Sequence, residues 1–200
     1  YTFTMPGESV TIKAVYQNRF YDLTVDGKTE SREYGSLVNV TAPEKEGYTF
    51  AGWTVKGAQV DNPYDQNLLF RMPAGDVTLT PNYTVNYYRL TVDDTMEFKD
   101  YGEPVTVTAP EKEGYTFTDW AVDGVTVADK TSKTLAFTMP AGDVTLTANY
   151  VINHYTLTVN GKAEQKEYGE RVYTYAEDRT GWIFTGWETK DLELAEDEKT

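Results

Sequence analysis

VTAPEKEGYTF occupies residues 40–50, and the same string returns at 107–117, an offset of 67 residues. Other landmarks keep that offset. MPAGDVTLT runs from Met72 to Thr80 and again from Met139 to Thr147. Trp53, Trp120 and Trp187 obey it. So do the Tyr-Gly pairs starting at Tyr34, Tyr101 and Tyr168, and the Leu-Thr-Val triplets starting at Leu23, Leu90 and Leu157. Met5-Pro6 stands one period before Met72-Pro73, and Tyr16 one period before Tyr83. Chance does not hold one register across so many landmarks, so the chain is a tandem array. A period of 67 exceeds that of most solenoids. Each copy is large enough for a small domain with a marginal core.

The array parses into four pieces. Residues 1–18 read as the C-terminal strand of a preceding repeat, 19–85 as a complete repeat and 86–152 as a second. Residues 153–200 read as a third repeat truncated before its last strand, since Trp187 is present but no FTMPAGDVTLTANY segment follows. YTFTMPGESVTIKAVY, at 1–16, is an equivalent of that segment. The window reads as a piece of a longer array. The orphan strand at 1–16 is expected to complete the last repeat of another chain, because unpaired edges invite strand addition. Val10, Ile12 and Ala14 would be its packing residues. No Gly- or Ser-rich hinge separates Val77–Tyr83 from the strand that begins near Tyr87. Continuity of this kind predicts a semi-rigid, elongated rod. Each repeat would be roughly 28 Å across and three would reach roughly 80 Å.

Alternation assigns the strands. In Tyr21-Asp22-Leu23-Thr24-Val25 the apolar residues fall on odd positions, and Asp26-Gly27 is a favourable hairpin turn. Asn160-Gly161 holds the same place in the third repeat. Asp93-Asp94 in the second is a poorer turn pair, so its loop is expected to differ. A second strand runs to Tyr34 and ends at Gly35. A third, from Val38 to Ala42, puts Val38, Val40 and Ala42 on one face, and Pro43 stops it. Tyr48 and Phe50 share a face, but Phe50 to Trp53 is an odd step. One extra residue must be absorbed if Trp53 also faces inward, which predicts a β-bulge at Ala51-Gly52. Gly186 and Asp119 hold the place of Gly52 in the other copies, and both residue types tolerate unusual backbone angles. The stretch 56–67, with its counterpart 123–134, is the most variable and reads as a surface loop with at most a short helical turn. In Asp143–Tyr150, Val144, Leu146, Ala148 and Tyr150 point one way. Each repeat is therefore expected to be a small, mostly antiparallel sheet with one buried face, and the fold class all-β.

Composition narrows the function classes. A net charge of −14 repels phosphate backbones, which argues against nucleic acid as a partner. With no cysteine there are no disulfides, thiolate metal sites or Cys nucleophiles. No apolar run approaches the roughly 18 residues of a membrane span, so no membrane insertion is expected of this stretch. The N-terminus YTFTMP is not a signal peptide.

GYTFAGW at 47–53, FTMPAGDVTLTANY at 137–150 and the preceding EYG at 33–35 resemble the internalin-B-type B-repeats. That broad group includes the Listeria–Bacteroides repeats and their divergent relatives. The resemblance covers essentially the whole chain. It implies a secreted, cell-wall-anchored protein of Gram-positive or gut bacteria, with the repeats serving as spacers or adhesive modules. It also implies a compact β-grasp-like fold. The third repeat departs from the pattern, with Thr180-Gly181-Trp182-Ile183-Phe184 in place of EGYTF. No catalytic residue belongs to the family pattern, and none is carried over.

The residues show little chemistry of their own. His154 is the only histidine, and Tyr87 and Phe20 stand in its place elsewhere, so it reads as packing rather than as part of a triad. One histidine and no cysteine make zinc and copper sites improbable. Glu44, Glu46, Glu111 and Glu113 flank Lys45 and Lys112, as at a solvated hairpin tip rather than a glycosidase pair. Asp93-Asp94 and Glu196-Asp197-Glu198 lack the spacing of a calcium loop. No Gly-rich phosphate cradle occurs. A Lys–Asn isopeptide bond would need a buried triad that sequence alone does not reveal. Trp53, Trp120 and Trp187 would form a sugar-stacking ladder if exposed, but a Trp in a small β-domain normally anchors its core. No catalytic, cofactor-binding or metal residue is assigned. The array is expected to be non-enzymatic and extracellular, a stalk or spacer with a possible adhesive role toward a host or matrix protein or a glycan. Repetition favours the stalk, since an enzyme needs one site while a stalk gains length from each copy. The alternative is a carbohydrate- or protein-binding module that uses exposed aromatics or the variable loops.

Overall fold

The structure is a computed structural model, and it describes residues 1–189. Among the described residues, strands follow one another with no helix between them. The first repeat holds β1 (Phe20–Val25), β2 (Lys28–Glu33), β3 (Leu37–Thr41), β4 (Tyr48–Lys56), β5 (Asn67–Arg71) and β6 (Val77–Val85). The second holds β7 (Tyr87–Val92), β8 (Thr95–Asp100), β9 (Pro104–Thr108), β10 (Tyr115–Asp123), β11 (Thr134–Thr138) and β12 (Val144–Ile152). The third contributes β13 (His154–Val159) and β14 (Lys162–Glu167). The chain divides into two compact units. One is Tyr1–Lys112 with Phe117–Val151, and the other is Glu113–Thr116 with the chain from Ile152 onward.

Each complete repeat has two layers. In the first, a four-stranded sheet in the order β2-β1-β6-β4 faces the two-stranded ribbon β3-β5. The second repeats this with β8-β7-β12-β10 and β9-β11. The core lies between the layers. Leu23, Trp53, Val77 and Leu79 from the sheet cluster with Val38, Leu68 and Phe70 from the ribbon. Leu90, Trp120, Val144 and Leu146 meet Val105 and Leu135 in the second copy. The inward residues expected of β3 and β12 occupy these places, with Val38, Ala42, Val144 and Leu146 all buried.

The sheet is mixed rather than antiparallel throughout. β1 and β6 run parallel, with Leu23 opposite Val77 and Val25 opposite Leu79. β7 and β12 do the same, with Leu90 opposite Val144. This central pairing closes the core: Leu23 and Leu90 are fully buried. Leu157, their counterpart in the third repeat, is only half-buried on a hairpin with no such neighbour among the described residues. Complete burial of a leucine stabilises by about 1.5–3 kcal/mol, so the closing strand has a substantial share in each core.

The parallel ladder stops at Leu79. Two residues on, Pro81 sits inside β6, where a central strand normally excludes it. It is tolerated because the backbone there is paired only with β4, through Trp53. The second repeat shows what the vacated side offers. There Ala148 holds the place of Pro81, and its N–H donates to Oδ1 of Asp93 at 2.8 Å.

The hairpin turns follow their residues. Asp26 and Gly27 both adopt positive φ, 48° and 77°, as a two-residue loop of this twist requires. In the second repeat Asp93 is at 49° but Asp94 is not in the positive region. The dihedrals differ as expected, while loop length and register are unchanged, with Val92 still facing Thr95. The expected bulge is present: register shifts between Phe50 and Gly52, leaving Ala51 without an opposite number. Gly52 takes φ 123° and Trp53 turns inward, 5% exposed. Asp119, in the place of Gly52, takes no positive φ although Trp120 is fully buried.

The stretch 56–67 is a loop of bends and turns, within the expectation of at most a short helical turn. Its backbone is committed elsewhere, since the Pro63 carbonyl accepts the Trp53 N–H at 2.7 Å. Residues 1–18 form no strand and are exposed, Val10, Ile12 and Ala14 included. The expected strand at 1–18 is thereby corrected: no strand of the described residues pairs with this segment, and a lone strand is not stable.

Candidate functional site

The tryptophans are core residues. Trp53 and Trp120 are buried, each at the edge of a phenylalanine, Phe50 and Phe117, with ring centroids 5.8 Å apart. Neither indole N–H has a hydrogen-bond partner. Trp187 is half-buried and 5.4 Å from Phe184. A sugar ladder would need flat, accessible faces, which the first two do not present.

The ionisable candidates lie at the surface. Among the described residues no polar or charged side chain is buried, and no group of three metal-ligating side chains converges. Glu44, Glu46, Glu111 and Glu113 are exposed. Lys45 extends over the Tyr48 ring at 4.1 Å, so these turns are organised around the lysine and its aromatic neighbours. Asp93 and Asp94 form a hairpin tip. Glu196, Asp197 and Glu198 lie outside the described residues. The packing reading of His154 is corrected. It is exposed at the start of β13, with Nε2 3.7 Å from Glu167, and its counterparts Phe20 and Tyr87 are exposed as well. Elsewhere, a Lys99–Glu103 ion pair holds the Glu103 carboxyl below its ordinary range and the ammonium above its own.

The variable loops keep one attachment and change the rest. Pro63 and Lys130 lie one period apart, and their carbonyls accept the N–H groups of Trp53 and Trp120. In the first loop Asn62 Oδ1 accepts the Tyr64 N–H and its amide donates to Asp65, leaving Tyr64 exposed. In the second, Asp129 accepts both the N–H and the hydroxyl of Thr131, which lowers its pKa.

The most elaborate constellation is a joint between repeats, built twice. At the first, the Asn86 N–H donates to the Gly47 carbonyl at 2.9 Å, and the Asn86 carbonyl accepts the Tyr101 N–H at 2.8 Å. Asn86 Oδ1 accepts the Thr49 hydroxyl at 2.6 Å. The Tyr101 ring stands edge-on to Tyr48, centroids 5.8 Å apart, and covers Gly47. A Cβ on Gly47 would sit 2.1 Å from Tyr101 Cγ. Asn153, Gly114, Thr116, Tyr115 and Tyr168 reproduce every contact, at 2.8, 2.8 and 2.6 Å and a ring separation of 6.5 Å. There a hydrogen bond to Glu113 raises the Tyr168 phenol above its ordinary value. The turn is braced from behind, with the Tyr83 hydroxyl donating to the Pro43 carbonyl and Tyr150 to that of Pro110. One asparagine thus bonds the end of one repeat to the start of the next, where a hinge would otherwise be. The periodic Tyr-Gly and Gly-Tyr pairs marked these residues in the sequence, but nothing there paired them across the boundary.

This joint makes Gly47 sensitive. Gly47→Ala should displace Tyr101 and expose the Asn86 amide. Hydrogen exchange at Asn86 and Tyr101 is expected to accelerate at least tenfold while that of Leu23 stays within twofold. Unchanged exchange at Asn86 would mean that the ring does not cover the joint.

Comparison with known proteins fits this construction. A family model described as "Divergent InlB B-repeat domain" matches twice in tandem, at residues 23–87 and 90–154. Internalin H of Listeria monocytogenes serovar 1/2a (strain ATCC BAA-679 / EGD-e) is 39% identical over 145 residues, 64% of this chain and 24% of that protein. A protein of Evansella cellulosilytica, provisionally named a Gly-rich membrane protein, is 28% identical over 215 residues, 93% of this chain and 24% of its own length. The chain spans about a quarter of the length of these relatives. No solved structure matches it. Among the described residues no helix is long and apolar enough to cross a membrane. With two tandem matches over most of its length and the same two-layer core and joint in each copy, the chain belongs to the divergent InlB B-repeat family.

Proposed function

We propose that this chain is a non-catalytic spacer at the outer face of a bacterial cell, carrying another part of its protein away from the wall. The joint supports the reading: it recurs residue for residue, so every repeat is attached to the next by the same backbone hydrogen bonds. The family adds to it, as do relatives named an internalin and a membrane protein. The residue boundaries 19–85 and 86–152 are the spacing units in this proposal. Its test uses cells that display the full-length protein with neither, one or both units removed and a fluorophore on the part beyond them. Height above the membrane, read by energy transfer to a lipid dye, should fall by equal steps. An unchanged height would refute the spacer.

A second reading, adhesion to a host or matrix protein or a glycan, draws on the outer face of the second repeat. There Tyr87 and Phe98 stand 5.6 Å apart, both exposed, beside exposed Met96. Binding to arrayed glycans and matrix proteins that is lost in Tyr87→Ala/Phe98→Ala would favour it.

A further inference from the structure

Each four-stranded sheet has two edges. In the second repeat one of them, β10, is partly occupied: the Trp120 N–H donates to the Lys130 carbonyl of the variable loop at 2.8 Å. The other, β8, has β7 on one side and no strand of the described residues on the other. Val92 faces Thr95 across a two-residue loop, so the hydrogen-bonded pairs of this hairpin are Val92–Thr95, Leu90–Glu97 and Tyr88–Lys99. Met96, Phe98 and Asp100 alternate with these and turn their backbone N–H and C=O groups toward the open edge. The Asp100 N–H shows the direction, donating to Oε2 of Glu103 at 3.2 Å.

Open edges are normally blunted with polar and charged residues. β2, in the same place of the first repeat, has Thr29 and Ser31 where β8 has Met96 and Phe98, and β14 has Ala163 and Gln165. Met96 and Phe98 are 57% and 59% exposed, with the exposed Tyr87 ring 5.6 Å from Phe98. On the opposite face of β8, to either side of Phe98 in sequence, Glu97 and Lys99 lie 3.5 Å apart.

We propose that two copies of this chain pair through β8, antiparallel, about a two-fold axis beside Phe98. Phe98 then faces Phe98 of the second copy, and the two exchange both backbone hydrogen bonds. The Met96 N–H of each copy donates to the Asp100 carbonyl of the other, while Glu103 keeps the Asp100 N–H. Charge fixes this register. Glu97 of each copy meets Lys99 of the other at a non-hydrogen-bonded position, where cross-strand side chains are closest. The neighbouring two-fold registers would set Glu97 against Glu97 or Lys99 against Lys99. Each copy offers the same surface, so the contact is isologous and closes at two copies. Pairing of this kind is independent of the spacer reading, because it concerns how copies meet and not what they carry.

The test is sedimentation equilibrium of the full 200-residue chain in about 0.15 M salt, which screens its net charge of −14 beyond about 8 Å. Loading would rise to about 1 mM, where even a weak contact is populated. The weight-average mass is expected to climb from 22.6 kDa toward twice that value and no further. Met96→Thr/Phe98→Ser should stay at 22.6 kDa. It gives β8 the residues of β2 at two exposed places, so circular dichroism should show it folded. Glu97→Lys and Lys99→Glu each turn two unlike pairs into like ones and should raise the dissociation constant about tenfold. An equimolar mixture of these two should recover the wild-type value, because each then meets opposite charges on the other. A wild-type mass that stays at 22.6 kDa throughout would overturn the proposal, as would growth beyond two copies. So would dimers that persist in Met96→Thr/Phe98→Ser, or a mixture that associates no better than its components.

Discussion

Trp120→Ala is expected to remove most of the stability of the second repeat. Trp120 is wholly buried among Leu90, Leu135, Val144 and Leu146, and an indole truncated to a methyl in a core costs about 3–5 kcal/mol. A folded domain holds roughly 0.05–0.15 kcal/mol per residue, which is roughly 3–10 kcal/mol for a repeat of this period. The loss is therefore comparable to the whole. Urea unfolding followed by exchange of the Leu90 and Val144 amides should show the second repeat opening at far lower denaturant than in wild type. Trp120→Phe separates area from polarity. It keeps an aromatic in the core and deletes an indole N–H that is buried without a partner, a group whose desolvation alone costs about 1–3 kcal/mol. Its penalty should be well under half that of alanine. Trp187→Ala should move the transition little, since that ring is half-buried beside Phe184. A wild-type midpoint for Trp120→Ala would mean that the tryptophan is not the anchor of its repeat.

What the amino-acid order revealed was local. The odd step from Phe50 to Trp53 forces a parity change, so the bulge at Ala51 was legible from two residues. The inward set of β12 was legible because alternation reports facing directly. Alternation says nothing of partner or direction, so the parallel pairing of β1 with β6 was out of reach. Residues more than fifty positions apart meet there, and only the burial of Leu23 against Val77 decides it. Pro81 fits a central strand only because the early end of that ladder leaves it an unpaired side. The loop at 56–67 was legible as variable and polar, but its backbone conformation was not. It is set by one long-range bond, Trp53 to Pro63, rather than by local propensity. The joint was the most instructive omission. Its residues were noticed as periodic landmarks, but periodicity marks a residue as retained without telling whether it serves its own repeat or the neighbour. His154 shows the converse: a place held by aromatics suggested a core, yet β1, β7 and β13 all present it to solvent.

Gly57→Ala is the second substitution expected to be severe, and here the backbone is the cause. Gly57 follows β4 at φ 84°, and a Cβ built there would lie 2.0 Å from the carbonyl oxygen of Asp76. Side chains in that region cost about 1–2 kcal/mol from local sterics alone. The contact adds to this, because a main-chain oxygen cannot rotate aside as a side chain can. Asp76 also cannot shift freely. Its Oδ1 accepts the Asp22 N–H at 2.9 Å, and the next residue, Val77, begins the strand that pairs with β1. Moving Asp76 therefore loosens the parallel junction on which burial of Leu23 depends. The second repeat repeats the arrangement, with a Cβ built on Gly124 lying 2.1 Å from the Asp143 carbonyl oxygen and Asp143 Oδ1 holding the Arg89 N–H. Gly35→Ala is the control: φ is 77°, but nothing lies within 4 Å of where its Cβ would stand, so it carries the conformational strain without the collision. Thermal unfolding should place Gly35→Ala about 1–2 kcal/mol below wild type. Gly57→Ala and Gly124→Ala should each fall more than about 3 kcal/mol below it, with Leu23 or Leu90 losing exchange protection in the affected repeat alone. Equal losses in all three variants would assign the whole effect to backbone angle. They would remove the close packing of this turn against β6 and β12 from the account of how each repeat closes.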